Sequence, residues 1–417
     1  MTDLHIDGKR LWQSLMELAQ IGATPKGGVR RLTLTDEDRR ARDLFCQWAR
    51  AAGLAVEIDG IGNLFARRAG TDPSLPPVAM GSHLDSQPSG GKFDGAYGVM
   101  AGLEALRTLD DAGVRTRAPM EVVSWTNEEG SRFTPVLMGS GVFSGAFTLD
   151  HVRAQKDLEG ISVGDALSKI GYAGTARPHK LGAYFEAHIE QGPVLENEGK
   201  TIGVVQGALG QRWYDVTVSG QDAHAGPTPM ELRQDALIGA SRMVLEVNRI
   251  ARGFPDTARG TVGFLQVRPN SRNVIPGEVR TTVDFRNARV STLDAMCEEL
   301  KRAAKTIETD CRVTIELREN VYFKPCEFDP ALVAQVRAAA AALGHSHCDI
   351  VSGAGHDAVS IARIAPAAMV FVPCEGGISH NEIENATPAD LAAGCDVLLH
   401  AALQAAGVVA GASRAAA

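Results

Sequence analysis

Two short apolar runs, each ending in side chains of the kind that bind metals, constrain this chain more than anything else in it. Residues 78–83 end at His83-Leu84-Asp85 and lead into Gly90-Gly91-Lys92-Phe93-Asp94-Gly95, while residues 120–125 deliver Asn127-Glu128-Glu129. Runs of this length bounded by turn residues read as strands buried on both faces. Open α/β sheets gather their chemistry at the carboxyl ends of such strands. Residues 182–188 repeat the plan and end in His188-Ile189-Glu190-Gln191-Gly192-Pro193. Three strands are thus expected to feed one sheet edge.

The remaining pattern fills in an α/β fold with a mixed sheet flanked by helices. Residues 10–21 and 36–52 carry apolar positions at helical spacing, the second run opened by Thr35 as N-cap and closed by Gly53. Residues 56–58 and 63–67 read as a hairpin, and 98–109 as a buried helix. At 417 residues the chain exceeds what one core usually organises, so two domains are expected. From about residue 212 the texture alternates: strand 213–218, helix 233–252, strands 260–267 and 277–286, helix 292–309, strand 312–319. That β-α-β-β-α-β order is a split-βαβ unit with a helix face open for pairing. We read 212–326 as an inserted dimerisation or lid domain, and 1–211 with 327–417 as the domain that carries the chemistry. The latter resumes with an Ala-rich helix from 329, a strand at 367–373, the loop Gly376-Gly377-Ile378-Ser379-His380 and a helix from 388; residues 411–417 read as a frayed tail.

Charge and cysteine usage narrow the partners. A net charge of -8, with Arg scattered rather than massed, argues against nucleic acid or an anionic membrane and for a small-molecule partner. Seven cysteines, widely spaced and without C-x-x-C, indicate buried thiols in a reducing compartment rather than disulfides or a thiolate zinc site. The charged start of the chain is not a signal peptide and no apolar run reaches membrane-spanning length, so the expectation is a cytoplasmic protein.

Of eleven histidines, His83, His188 and His380 each follow an expected strand in a Gly-bearing loop and are the ligand candidates. His5, His151, His179, His345, His347 and His400 read as ordinary surface or core residues. Asp85 is placed to orient His83 through its second ring nitrogen, or is a turn-former. Asp94 before Gly95 is a candidate bridge between two ions, or a plain Asp-Gly turn. Glu128 and Glu129 repel unless a cation or a shared proton offsets them, and adjacent residues point apart, so one can ligate while the other handles protons. A solvated acidic turn is the alternative. His224, in Gln221-Asp222-Ala223-His224-Ala225-Gly226-Pro227, is poised to donate to an oxyanion or to cap its loop. Asn273 and Arg286 follow on paired strands; Arg286 suits a carboxylate, or is a surface cation. No G-x-S-x-G occurs, and Ser352-Gly353-Ala354-Gly355-His356-Asp357 matches neither a P-loop nor a dinucleotide fingerprint.

Taken together, Gly81-Ser82-His83-Leu84-Asp85-Ser86, Gly91-Lys92-Phe93-Asp94-Gly95, Asn127-Glu128-Glu129-Gly130-Ser131-Arg132-Phe133, His188-Ile189-Glu190-Gln191-Gly192, His224-Ala225-Gly226 and Ser379-His380 resemble the motifs of the N-carbamoyl-L-amino acid hydrolases. These group with β-ureidopropionases and allantoate amidohydrolases in the two-zinc aminopeptidase-like superfamily. The resemblance implies two divalent ions, zinc or else manganese, cobalt or nickel, one held by His83, Asp94 and His188 and the other by Asp94, Glu129 and His380. It makes Glu128 the general base that takes the proton of a hydroxide-forming water bridging the ions. A His at 188, where peptidase relatives carry an acid, favours carbamoyl-amide cleavage. Gln191, Arg212, His224, Asn273, Arg286 and the backbone at Gly355 fall where the family contacts substrate. His224 is implied to come from the partner subunit of a homodimer built through the inserted domain. The implied reaction releases L-amino acid, ammonia and carbon dioxide; cleavage of allantoate or of N-carbamoyl-β-alanine is the sibling alternative.

Overall fold

The computed structural model describes residues 4–254 and 257–409, so the 411–417 tail lies outside the described residues. The chain divides into two units, residues 1–206 with 328–417, and 207–327. The crossing comes a few residues before the change of pattern at 212, because strands Ile202–Ala208 and Gly210–Ser219 follow each other almost without a break.

In the first unit one sheet runs, in spatial order, Ala55–Ile58, Leu64–Arg68, Met120–Trp125, Val78–His83, Ala183–Ile189, Ala367–Val372, Ile202–Ala208. The central pairings are parallel and the outer ones antiparallel. The four central strands are buried along their whole length, which is why they read as unbroken apolar runs. Being parallel, they all release the chain at one edge: His83 ends one strand, His188 nearly ends another, and the loops to Glu128 and His380 leave the other two. Helices Gly8–Leu18, Ala96–Asp111 and Pro388–Ala406 pack on one another, and the last two cover the central strands. Thr35 caps helix Asp36–Ala51 by accepting from the Asp38 N–H.

Three strands of this sheet, Ile202–Ala208, His347–Ser352 and the two-residue Cys326–Glu327, have no counterpart in the sequence reading; the first two are the longer ones. The first is interrupted by glycines and the second is only partly buried, so neither shows a clean period.

The second unit is an antiparallel sheet in the order Leu265–Arg268, Glu278–Asn287, Gly210–Ser219, Thr314–Phe323. Helices Ala236–Gly253 and Val290–Cys311 pack on its alternating apolar face, burying Val216, Met243, Val247, Phe285, Leu293 and Leu300. The single strand expected at 260–267 is two, Arg259–Thr261 and Leu265–Arg268. Both pair with Glu278–Asn287, but the step from Thr261 to Leu265 opposes the shorter step from Asp284 to Thr281. One extra residue is taken up in the break at 262–264 between the two strands.

Among the described residues no helix is long and apolar enough to cross a membrane. All seven cysteines are free, but Cys311, Cys326 and Cys348 are only partly buried, which corrects the reading of uniformly buried thiols.

Candidate metal centre

His83 closes its strand with its Nδ1 donating to the main-chain oxygen of Asp85 at 2.9 Å. A carbonyl can only accept, so Nδ1 carries the proton and Nε2 presents its lone pair to Asp94 Oδ1 at 3.6 Å and toward Glu128 Oε2 at 3.5 Å. His188 repeats this on the neighbouring strand: Nδ1 donates to the Ile189 carbonyl at 2.9 Å and Nε2 stands 3.2 Å from Asp94 Oδ1. The other oxygen of Asp94, Oδ2, lies 3.3 Å from His380 Nε2, which is also 3.3 Å from Glu129 Oε2. One carboxylate therefore divides its two oxygens between two sets of ligands.

Gly95 makes this approach feasible. It sits at φ 64°, and a Cβ there would fall 2.3 Å from the His83 ring. Asn127 at φ 56° and Gly130 at φ 66° bracket the carboxylate pair and turn it so that Glu128 faces His83 while Glu129 faces His380. Gln87 holds Glu129 through a 2.6 Å hydrogen bond and is itself held by the Ser131 hydroxyl.

The expected contact from the Asp85 side chain to His83 is corrected. Its nearer carboxylate oxygen is 3.9 Å from His83 Nδ1, and the main-chain carbonyl takes the ring proton instead. The carboxylate accepts the N–H groups of Glu128 and Glu129, at 3.2 and 3.3 Å. Asp85 thus positions both members of the pair through their backbone.

Electrostatics mark the site as built for cations. Burial and then the carboxylates of Asp357, Glu129 and Asp94 push Glu128 well above its ordinary pKa. Burial and then Asp94 do the same to Glu129. Asp94 is pushed up by burial, but its bonds with His188 and His380 outweigh this and hold it well below. Burial brings His83 down to about 4, whereas on His188 Asp94 overcomes burial and the ring rises to about 9. Two carboxylates, Asp94 and Glu129, and three imidazoles form a hard, oxygen- and nitrogen-rich set of candidate donors. Two ligand atoms on one tetrahedral ion, each about 2.0–2.1 Å away, stand roughly 3.3 Å apart. The ligand-atom separations of 3.2–3.6 Å fit that spacing.

Gln191, at φ 58°, donates from Nε2 to Asp94 Oδ2 at 3.0 Å and to Ser379 Oγ at 3.2 Å. Its Oε1 is buried without a partner among the described residues. Gly355 lies exposed in the loop before helix Asp357–Ile361. The other expected substrate residues belong to the second unit. There exposed His224 pairs with Val274 on a two-stranded ladder, and at its end Ala225 N donates to Asn273 O at 2.9 Å. Arg286 donates to Asp284 at 2.9–3.3 Å. Arg212 is engaged by Asp294 at 2.6 Å and lies over the Tyr322 ring.

Three residues beside the site escaped the sequence reading. His356 is buried with its ring centre 4.6 Å from that of His188, and Glu186 lies with them close enough for all three to share an ion. Their polar atoms are occupied, however: Glu186 accepts from Ser82 Oγ and Ala358 N, and His356 Nε2 pairs with Ser352 Oγ. These read as supports for His188. The signal for His356 was the same as for His83, a His in a Gly-bearing loop after a strand, but that strand went unrecognised. Glu384 is the third and had no local signal.

Residues 79–404 match the family Peptidase family M20/M25/M40. The chain is 48% identical over 407 residues to an N-carbamoyl-L-amino-acid amidohydrolase of Rhizobium meliloti, covering 97% of this chain and 98% of that one. It is 36% identical to an allantoate amidohydrolase of Bacillus subtilis, covering 91% and 93%. A solved amidase of the hydantoinase/carbamoylase family from Burkholderia multivorans superposes with a TM-score of 0.94 at 56% identity, covering 97% and 98%.

Proposed function

The chain belongs to peptidase family M20/M25/M40, and from that membership we propose that it hydrolyses the carbamoyl C–N bond of N-carbamoyl-L-amino acids. The observation that carries this reading is the divided carboxylate of Asp94, with Glu128 beside it and outside both ligand sets. We assign one divalent ion to His83, Asp94 and His188, and a second to Asp94, Glu129 and His380, with zinc, manganese, cobalt or nickel all compatible with such donors. Bound there, divalent ions supply Lewis acidity that makes water more acidic and the ureido carbonyl more electrophilic.

Glu128 takes a proton from the attacking water as its oxygen bonds to the ureido carbon, and passes it to the amino acid nitrogen as the C–N bond breaks. Glu128 lies outside both ligand sets with Oε2 3.5 Å from His83 Nε2, so its carboxylate is free to carry that proton between the two events. The products are L-amino acid and carbamic acid, which falls apart to ammonia and carbon dioxide. Gln191 Oε1, an acceptor with no partner among the described residues, suits a ureido N–H. Relatives named N-carbamoyl-L-amino-acid amidohydrolase, 48% and 40% identical, support this substrate class. For the second unit we assign Asn273 and Arg286 to the substrate carboxylate, His224 to the oxyanion and Arg212 to an assisting role. Exposed Ile238 and Leu245 on one helix, with Leu265 on an edge strand, support a homodimer through this unit; light scattering that returned a single 44.2 kDa chain would count against it.

The deciding test is a substrate panel on metal-reconstituted protein. N-carbamoyl-L-methionine is expected to give methionine and ammonia, with Glu128→Gln lowering kcat by roughly 10²–10⁴-fold at unchanged metal content. Turnover of allantoate or N-carbamoyl-β-alanine alone would replace the substrate assignment.

A further inference from the structure

Glu384 is almost fully buried, and no basic side chain pairs with it among the ion pairs of the described residues. A buried carboxylate in that condition is costly unless hydrogen bonds satisfy it. Here they do. Oε1 accepts the main-chain N–H groups of Phe93 at 2.9 Å and Asp94 at 3.1 Å. Oε2 accepts the Ser379 hydroxyl at 2.9 Å, and Ser379 Oγ also lies 3.1 Å from Asp94 Oδ2. A single side chain from late in the chain thus grips the backbone that carries Asp94 and the residue that precedes His380.

The fit leaves no slack. A Cβ on Gly91 would lie 2.0 Å from the Glu384 carboxylate, so the second glycine of the Gly90-Gly91 pair is needed to admit it. Asp94 is held by Glu384 through its backbone and by Gln191 through Oδ2; Ser379 Oγ, its one proton given to Glu384, lies 3.1 Å from that same oxygen. His380, by contrast, is half exposed and sits at φ 54°, in a loop with little packing of its own to fix it. Two contacts tie that loop to Asp94: the Glu384–Ser379 bond, and Gln191 Nε2, which reaches both Asp94 Oδ2 and Ser379 Oγ; only the first also grips the Asp94 backbone.

We propose that Glu384 is a positioning residue that locks the Asp94 loop to the His380 loop and thereby sets the spacing between the two ligand sets. This rests on the two-ion reading above. It differs from a general structural role, because its loss should be felt at the His380 set before the His83 and His188 set. Those two histidines are fixed by their own strands and main-chain carbonyls.

The test is metal stoichiometry and affinity, measured by chelator-competition titration with zinc and, separately, manganese on wild type and on Glu384→Ala, Glu384→Asp and Glu384→Gln. In Glu384→Ala the weaker-bound ion is expected to lose roughly 10–100-fold in affinity while the tighter ion stays within about threefold. Its kcat should fall with that ion's occupancy, and be recovered at high metal. Glu384→Asp, one methylene short of bridging the two loops, should follow Ala. Glu384→Gln should retain most of the affinity, since its amide oxygen can accept both N–H groups and its NH₂ can reach Ser379 Oγ. Should Glu384→Ala not fold, the Asp and Gln variants decide the matter. Wild-type affinity for both ions in Glu384→Asp, or equal losses in Gln and Asp, would overturn the proposal. A wild-type protein that binds fewer than two ions would instead overturn the two-ion reading.

Discussion

At the scale of single residues, the site depends on which atom of a side chain meets which partner. The Asp85 case makes the point: its carbonyl fixes the His83 tautomer while its two carboxylate oxygens each take one backbone N–H of the Glu128–Glu129 pair. Asn at this position offers only one acceptor oxygen, leaving a buried N–H facing an NH₂. Asp85→Asn should therefore cost roughly 1–3 kcal/mol of stability, read by chemical denaturation. It should also lower kcat by misplacing Glu128, with metal content nearly intact because the His83 carbonyl contact survives. A variant with wild-type kcat would mean that the pair is held in place by other contacts. The residues that the fold brings together as candidate ligands stood out in the sequence, since imidazoles and carboxylates in strand-end loops are conspicuous. Which oxygen of Asp85 did the orienting was not, because residue identity leaves both routes open.

Secondary-structure elements explain why those residues converge. Four parallel strands, buried throughout, release His83, Glu128–Glu129, His188 and the His380 loop at one edge. This was readable because burial on both faces leaves an unbroken apolar run. The strands at Ile202–Ala208 and His347–Ser352 lacked that signature, and with the second went the clue to His356. Elements meet loops just as closely: helix Ala96–Asp111 begins at Gly95, whose φ of 64° and missing side chain let the His83 ring lie against it. Gly95→Ala must either strain the backbone or displace His83. A loss of at least about 1 kcal/mol in stability, with weaker binding of the ion assigned to His83, is expected from thermal unfolding and metal titration. Unchanged metal affinity would show that the ring has room to shift.

For the whole molecule, the buried charges tie folding to metal and pH. Asp85 and Glu384 are each raised to about 7, burial being the main cause, and Asp94 lifts His188 to about 9 against burial. Raised values mean that the metal-free folded state holds protons which the unfolded chain has released. The stability these groups contribute is present below their unfolded values and lost as pH rises through 7 to 9. His83, lowered to about 4, acts in the opposite sense, but only below its ordinary 6.5. In chelator the melting temperature should thus fall by at least about 2 °C between pH 6.5 and 9, and saturating zinc or manganese should shrink that fall, since cations then do the work of the protons. A melting temperature that climbed over this range in chelator would refute the account. By itself the sequence determined the strand order's raw material, the candidate ligand types and the insertion of a second unit, because periodicity and turn chemistry are local, while the reaction class came from the resemblance of its motifs to a known family. Only the tertiary structure decided that Glu384 meets Asp94 across 290 positions and that His356 and Glu186 stand beside His188. Contacts between residues so far apart are chosen by packing, and no local period records them.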